Sequence, residues 1–201
     1  MSSERLHTSG SDSARPEPSF FRPRATLHCS GVPTFRSQAA RDLGCLLDVD
    51  DAVRSWECQP FPLLAGSRRH LPDFLAVYRD GTEMLLDASD GEEDPVVTEA
   101  AARAGFPHRY VSREERESGW RLRNARDLLR YGNYGCPLGD RIRVIAALDE
   151  VGSFSVAEGL GLFREVPPMA GLASLVLQRI LTIDLDQELI NPDTVVRRGE
   201  L

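Results

Sequence analysis

The sequence predicts an α/β protein, with a mixed core over residues 33–118 and a smaller, mostly helical region over residues 119–201. Three observations carry this. Residues 70–89 read as two β-strands joined by a turn at Asp80-Gly81. The apolar periodicity before Gly119 runs helix, three strands, helix, strand, helix, which is the order of an α/β unit. After Gly119 the chain turns arginine-rich and helical and closes on a hairpin.

Each element has a local reason. Residues 1–32 are rich in Ser, Arg, Pro and Glu without periodicity, which predicts a disordered arm. Thr34 or Ser37 can cap a helix. Ala40, Leu43, Leu46 and Leu47 form its apolar face, and Asp48 to Asp51 end it. Val53 to Pro60 alternates as a strand does and continues through Phe61–Leu64 to a turn at Ala65-Gly66-Ser67. Arg68–Tyr78 and Thr82–Ala88 are the next two strands, followed by an acidic loop at 90–94. Val96 to Ala104 reads as a helix closed by Gly105. A short strand over 106–111 precedes Ser112-x-x-Glu115, a capping-box pattern.

Arg121 to Leu129 is a basic amphipathic helix broken by the stretch Tyr131–Gly139. Asp140 to Val151 reads as a helix with Ile142, Ile145, Ala146 and Leu148 inside, and Gly152–Ser155 as a turn. Helices over 156–163 and 169–181 follow, then a hairpin over 182–185 and 194–197. Helices ending in a hairpin resemble a winged helix-turn-helix.

Composition narrows the function classes. The net charge is −7, which excludes coating nucleic acid through bulk charge. Any DNA contact must come from a local patch. All 24 basic residues are arginines, so no lysine of this chain serves catalysis. No apolar run approaches the ~20 residues of a membrane span, and no secretory signal is visible; a cytoplasmic location without a membrane partner is expected. Cys29, Cys45, Cys58 and Cys136 lack zinc-knuckle spacing and read as reduced thiols, Cys45 on a helix's apolar face. His7, His28, His70 and His108 are scattered and give no metal or triad pattern.

The hairpin carries the chemistry. Asp73 enters its first strand and Asp87 lies near the end of its second, so both can present carboxylates to one divalent metal. Such an ion activates water and neutralises charge on a phosphodiester. Strand alternation places Ser89 on the same face as Asp87. A lysine there would position the water; a serine hydroxyl is short and neutral.

Leu71-Pro72-Asp73-Phe74-Leu75 with Val77-Tyr78 and Asp80-Gly81, preceded by Val53-x-Ser55-Trp56-Glu57-x-Gln59-Pro60, resembles the N-terminal domain of TnsA-like transposon endonucleases. Asn124-Ala125-Arg126 with Leu128-Leu129-Arg130-Tyr131 and the helical C-terminal region share the likeness, which spans roughly residues 33 to 198. The resemblance implies a restriction-endonuclease-like mixed sheet flanked by helices, of the PD-(D/E)XK superfamily, followed by a winged-helix-like domain. It implies a Mg²⁺-dependent nickase of transposon 5′ ends that works with a partner transposase and an ATP-dependent transposition regulator. The motif aspartate is Asp73 and the strand carboxylate is Asp87. By the same resemblance the lysine position holds Ser89, the helix-acid position of Ser37-Gln38-Ala39-Ala40 holds Ala40, and Gln59 is expected near the active site. Two of four catalytic positions are lost, which predicts a degenerate site, weak or absent metal binding at Asp73 and Asp87, and a DNA- or transposition-complex-binding subunit with little or no cleavage. Two alternatives stay open: an active Mg²⁺-dependent endonuclease with groups supplied from elsewhere, and a regulatory protein without DNA binding. For DNA phosphates the candidates are Arg123, Arg126 and Arg130 on one helical face, and Arg68 and Arg69 beside His70.

Overall fold

A computed structural model describes residues 26–199. The first 25 residues of the expected arm lie outside these. Residues 27–30 are held on the body: the Asp48 carboxylate accepts Leu27 N–H and His28 N–H at 3.2 and 2.9 Å. Cys29 bridges Trp56 in parallel fashion.

Helix α1 (Gln38–Val49) starts where Ser37, in an extended conformation, accepts the Ala40 N–H on its hydroxyl. Strands β1 (Val53–Cys58), β2 (Leu63–Ala65), β3 (Arg68–His70), β4 (Phe74–Tyr78) and β5 (Glu83–Ser89) follow, then α2 (Pro95–Arg103) and β6 (His108–Ser112). The main sheet has the order β1-β4-β5-β6. Its first two pairings are antiparallel, and β5–β6 is parallel because α2 carries the chain across. The fold is therefore mixed α/β around a mixed sheet, as expected. The expected single strand over 68–78 is instead two: β3 pairs with β2 in a separate hairpin, and Leu71-Pro72-Asp73 leads into β4. Pro72 has no N–H to give a ladder, which accounts for the break.

On one face of the sheet α1 packs Ala40, Leu43 and Leu47 against Trp56, Phe74, Leu86 and Val111. Phe35, Trp56 and Phe74 form an aromatic trio with centroid separations of 5.3–6.0 Å. On the other face Leu85 packs with Leu63 and Ala65 of the β2–β3 hairpin and with Val97, Ala100 and Ala101 of α2. Full burial of each large side chain stabilises the fold by about 1.5–3 kcal/mol.

Beyond β6 come α3 (Arg113–Glu117), α4 (Arg121–Leu129), α5 (Leu138–Val151), β7 (Ser153–Ser155), α6 (Val156–Leu160), α7 (Pro168–Leu177), β8 (Leu181–Ile183) and β9 (Val195–Arg198). The last three strands form an antiparallel sheet of order β7-β9-β8. The expected turn at 152–155 therefore contains a strand. The expected inward face of α5 is also shifted. Val144 and Leu148 are buried, whereas Ile142 is 56% exposed and Ala146 is exposed. Asp140 takes the inward position at the helix start, its carboxylate accepting the N–H groups of Arg164, Glu165 and Val166.

Helix α4 joins the two sheets. Leu122, Ala125, Leu128 and Leu129 share one apolar cluster with Cys45 of α1 and Ala173 and Leu177 of α7. Buried Asn124 holds the loop before β9 by donating to Leu185 O and Glu188 O and accepting from Ile190 N. Arg179, just past α7, donates to Asp50 O and Val53 O at the α1–β1 turn. No helix among the described residues is long and apolar enough to cross a membrane.

Candidate functional site

The β4–β5 register fixes the site. Phe74 pairs with Leu86, so the preceding and following residues, Asp73 and Asp87, lie opposite one another at the end of the ladder. The Asp73 N–H donates to Asp87 Oδ1 at 3.0 Å, and the Ala88 N–H donates to Asp73 Oδ2 at 3.0 Å. Both carboxylates are buried, at 6% and 3% exposure.

Three cationic or N–H-donating side chains meet them. Arg36, the residue before the α1 cap, donates Nε and Nη2 to Asp73 Oδ1 at 2.9 and 2.7 Å. The same Nη2 reaches Asp87 Oδ1 at 3.4 Å. His70 Nε2 and His108 Nε2 both reach Asp87 Oδ2, at 2.6 and 2.9 Å. An ionised carboxylate only accepts, so each Nε2 carries a proton. For His108 this leaves Nδ1 facing Thr98 Oγ1 at 3.0 Å, and its side chain is fully buried. Phe35 anchors Arg36 from below through the aromatic trio.

Seven hydrogen bonds thus converge on four carboxylate oxygens, which have about eight lone-pair positions in all. Asp73 Oδ2 retains the one open position. Mg²⁺ requires oxygen donors facing it directly. The donor set is therefore arranged to neutralise the acids with N–H groups, and Arg36 Nη2 reaches an oxygen of each. Among the described residues no group of three or more His, Cys, Asp or Glu side chains is disposed to hold a metal ion.

The two acids are pushed in opposite directions. Burial raises the Asp73 carboxyl above its ordinary value, and the Arg36 charge and hydrogen bond only partly offset this. Burial also acts to raise Asp87, but the hydrogen bonds from His108 and His70, with the His70 charge and the Asp73 N–H, outweigh it and hold the carboxyl well below the ordinary range. On acidification, Asp73 is expected to take its proton before Asp87, as read by carboxyl ¹³C NMR. The signs for stability are opposite. The contribution of Asp87 is present above the ordinary carboxylate value and lost as pH falls through its own depressed value. That of Asp73 is present below the ordinary value and lost as pH rises through its raised one. The reverse order of titration would show that the His70 and His108 bonds to Asp87 are not made.

The other sequence candidates fall elsewhere. Ser89 turns onto its own loop, its hydroxyl bonded to Gly91 O and Gly91 N at 2.9 and 3.2 Å. Ala40 is buried in the cluster with Phe74 and Leu86, whose side chains alternate with those of Asp73 and Asp87. Neither joins the acids. Gln59, at a φ of +51°, extends the β1–β4 pairing with its N–H on Asp73 O at 2.9 Å, while its side-chain amide donates to Thr34 O. It supports Asp73 through the backbone. Arg126 is paired with Asp42, Arg130 with Asp127 and Arg68 with Asp94, so the expected basic face is laced with acids. Arg123 and Arg69 are exposed, with no ion pair among the described residues. The sequence reading missed Arg36 and found no pattern in the histidines; the structure brings His70 and His108 together on Asp87. Sequence spacing carried no signal for either, because β3 and β6 come from different hairpins and crossovers.

No protein-family model matches the chain, and no curated protein matches it.

Proposed function

We propose that this chain is a restriction-endonuclease-like scaffold of TnsA type whose metal centre has become an arginine-neutralised carboxylate pair, and that it acts as a non-cutting, DNA-associated subunit. The observation that carries this reading is Arg36 bridging Asp73 and Asp87. Two further features agree with it. The order α1, β1, β4, β5, α2, β6, with an antiparallel trio and a parallel fourth strand, is that expected of the nuclease core. The order α5, β7, α6, α7, β8, β9, with β9 between the other two strands, is that expected of a winged helix. A partner transposase and an ATP-dependent regulator belong to the same proposal.

A second reading has one observation in its favour. A cation does border the acids, and the Arg36 side chain that supplies it is 35% exposed rather than locked in the core. The lost lysine would then be replaced by an arginine from another segment, and the chain would cut DNA.

Supercoiled plasmid with Mg²⁺ or Mn²⁺ separates the readings. The proposed function predicts no nicking, together with DNA binding that weakens steeply as salt rises. Nicking that disappears in Asp73→Ala establishes the second reading. Absence of both nicking and DNA binding overturns the two alike and leaves a regulatory protein.

A further inference from the structure

A second charged site lies at the opposite end of the main sheet. Asp73 precedes β4 and Arg79 follows it, about 20 Å apart at the ~3.3 Å rise of a strand. Arg79 lines a cleft of about 570 Å³ with Arg179, Arg197 and Arg198, against an apolar wall that includes Leu128 and Val176. That volume is in the range of small-ligand sites, ~300–1,000 Å³. In a chain of net charge −7, four arginines against Asp48 and Asp51 leave this cleft with a local excess of positive charge.

The positive charge is only partly answered. Arg79 and Arg197 are exposed with no ion pair among the described residues. Arg198 pairs with Asp149, and Arg179 lies 3.6 Å from Asp51, which is 76% exposed. Asp48 also lines the cleft, but its carboxylate is taken up by Leu27 N–H, His28 N–H and Trp56 Nε1. The excess charge is felt by its neighbours. Burial, then the charges of Arg179 and Arg79, lower the His28 imidazole, and burial with the Arg79 charge lowers Arg179 itself. The Nε2 of His28 is buried without a hydrogen-bond partner.

The backbone holds this arrangement under strain. Arg179 has a φ of +61°, a left-handed conformation that costs a non-glycine residue of order 1–3 kcal/mol. Gly199 presses against it: a Cβ there would meet Arg179 O at 2.2 Å. The surroundings select the ligand's size. Leu185, on the cleft wall, has Asp184 and Asp186 on either side, and Asp50 and Asp51 precede β1. A long polyanion would run past all of these acids; a compact one meets Asp51, which lines the cleft, and is spared the others.

We infer that this cleft binds a compact phosphate-bearing anion, the phosphate held by Arg79 and Arg197 with Arg179 behind them and any base or other apolar part laid on the Leu128–Val176 wall. Arginine suits phosphate through paired N–H donors. The site is separate from the carboxylate pair and does not depend on its reading.

Calorimetric titration of the full chain with ADP, pyrophosphate and adenosine tests the inference. ADP and pyrophosphate bind and adenosine does not. A higher affinity for ADP assigns a nucleotide, and equal affinities assign free polyphosphate; both support the site. The double variant Arg79→Ser/Arg197→Ser loses about tenfold or more in affinity with an unchanged melting temperature. Asp51→Asn, which removes an exposed acid, tightens binding. Failure of both anions to bind at millimolar concentration overturns the assignment, as does wild-type affinity in the double variant. Displacement of ADP by a short DNA duplex overturns the compact-ligand assignment in favour of nucleic acid.

Discussion

Asp87→Ala is expected to lower the unfolding free energy by about 3–5 kcal/mol, measured by urea denaturation, because it leaves several buried or part-buried N–H groups without their acceptor. The side chain of His108 is fully buried, and its Nε2–H has Asp87 as its acceptor. The Asp73 N–H loses its acceptor at the same time, and Arg36 keeps only Asp73. Burial of an unsatisfied polar group costs about 1–3 kcal/mol for each such group. Asp87→Asn retains one oxygen but turns an N–H₂ toward other donors, so it is expected to fall between, at about 1–3 kcal/mol. A loss within about 0.5 kcal/mol of wild type for Asp87→Ala, the range of ordinary surface changes, would show that the cluster does not form.

Trp56→Ala is expected to cost about 3–5 kcal/mol by the same measurement, the range for truncating a buried aromatic. Trp56 is 1% exposed and stands perpendicular to Phe74 at 5.3 Å. Its Nε1–H also donates to Asp48 at 2.9 Å, and that carboxylate fastens residues 27 and 28 to the body. Trp56→Phe isolates the hydrogen bond and part of the volume, and a loss of about 1–2 kcal/mol is expected. The consequence reaches the site. Phe35 packs on Trp56 and Phe74, and the next residue is Arg36, so loosening the trio frees the guanidinium from Asp73. A Trp56→Ala protein as stable as wild type would mean that the trio does not anchor the α1 entry.

What the sequence disclosed follows from which interactions are local. Asp73 and Asp87 sit symmetrically about the Asp80-Gly81 turn, and a two-residue side-chain period puts them on one face. Their meeting was therefore legible. Helices α1, α2 and α4 were legible from periodicity and caps; the ends of α4 fall where the amphipathic pattern begins and stops. The groups that surround the acids were not. Arg36 is 37 residues from Asp73, and His108 is 21 from Asp87 on a strand delivered by a crossover. Nothing in linear spacing brings them together. The turn of the β2–β3 hairpin at Ala65-Gly66-Ser67 was legible, but its separation from β1 and β4 was not, because short strands that follow one another closely read as one continuous extended run. The inward face of α5 was misplaced because buried Asp140, satisfied by three backbone N–H groups, takes a position that hydropathy gives to a solvent-facing residue.

The placement of Ser89 and Ala40 bears on the degenerate-site proposal. Lysine at 89 together with glutamate at 40 is not expected by itself to create a metal centre, because neither position joins the acids. Ala40 faces the α1 side of the sheet, where its methyl fills an aromatic core. The change with direct bearing on the acids is at Arg36.

Titration of the wild-type protein with Mn²⁺, followed by electron paramagnetic resonance of the free ion, tests most directly the proposal that Arg36 keeps Asp73 and Asp87 from binding a divalent ion. Free Mn²⁺ is expected to rise in step with added ion, with no uptake that depends on Asp73. Uptake of Mn²⁺ by the wild type that vanishes in Asp73→Ala would show that the acids yield to a metal despite Arg36, and would contradict the neutralised-pair account.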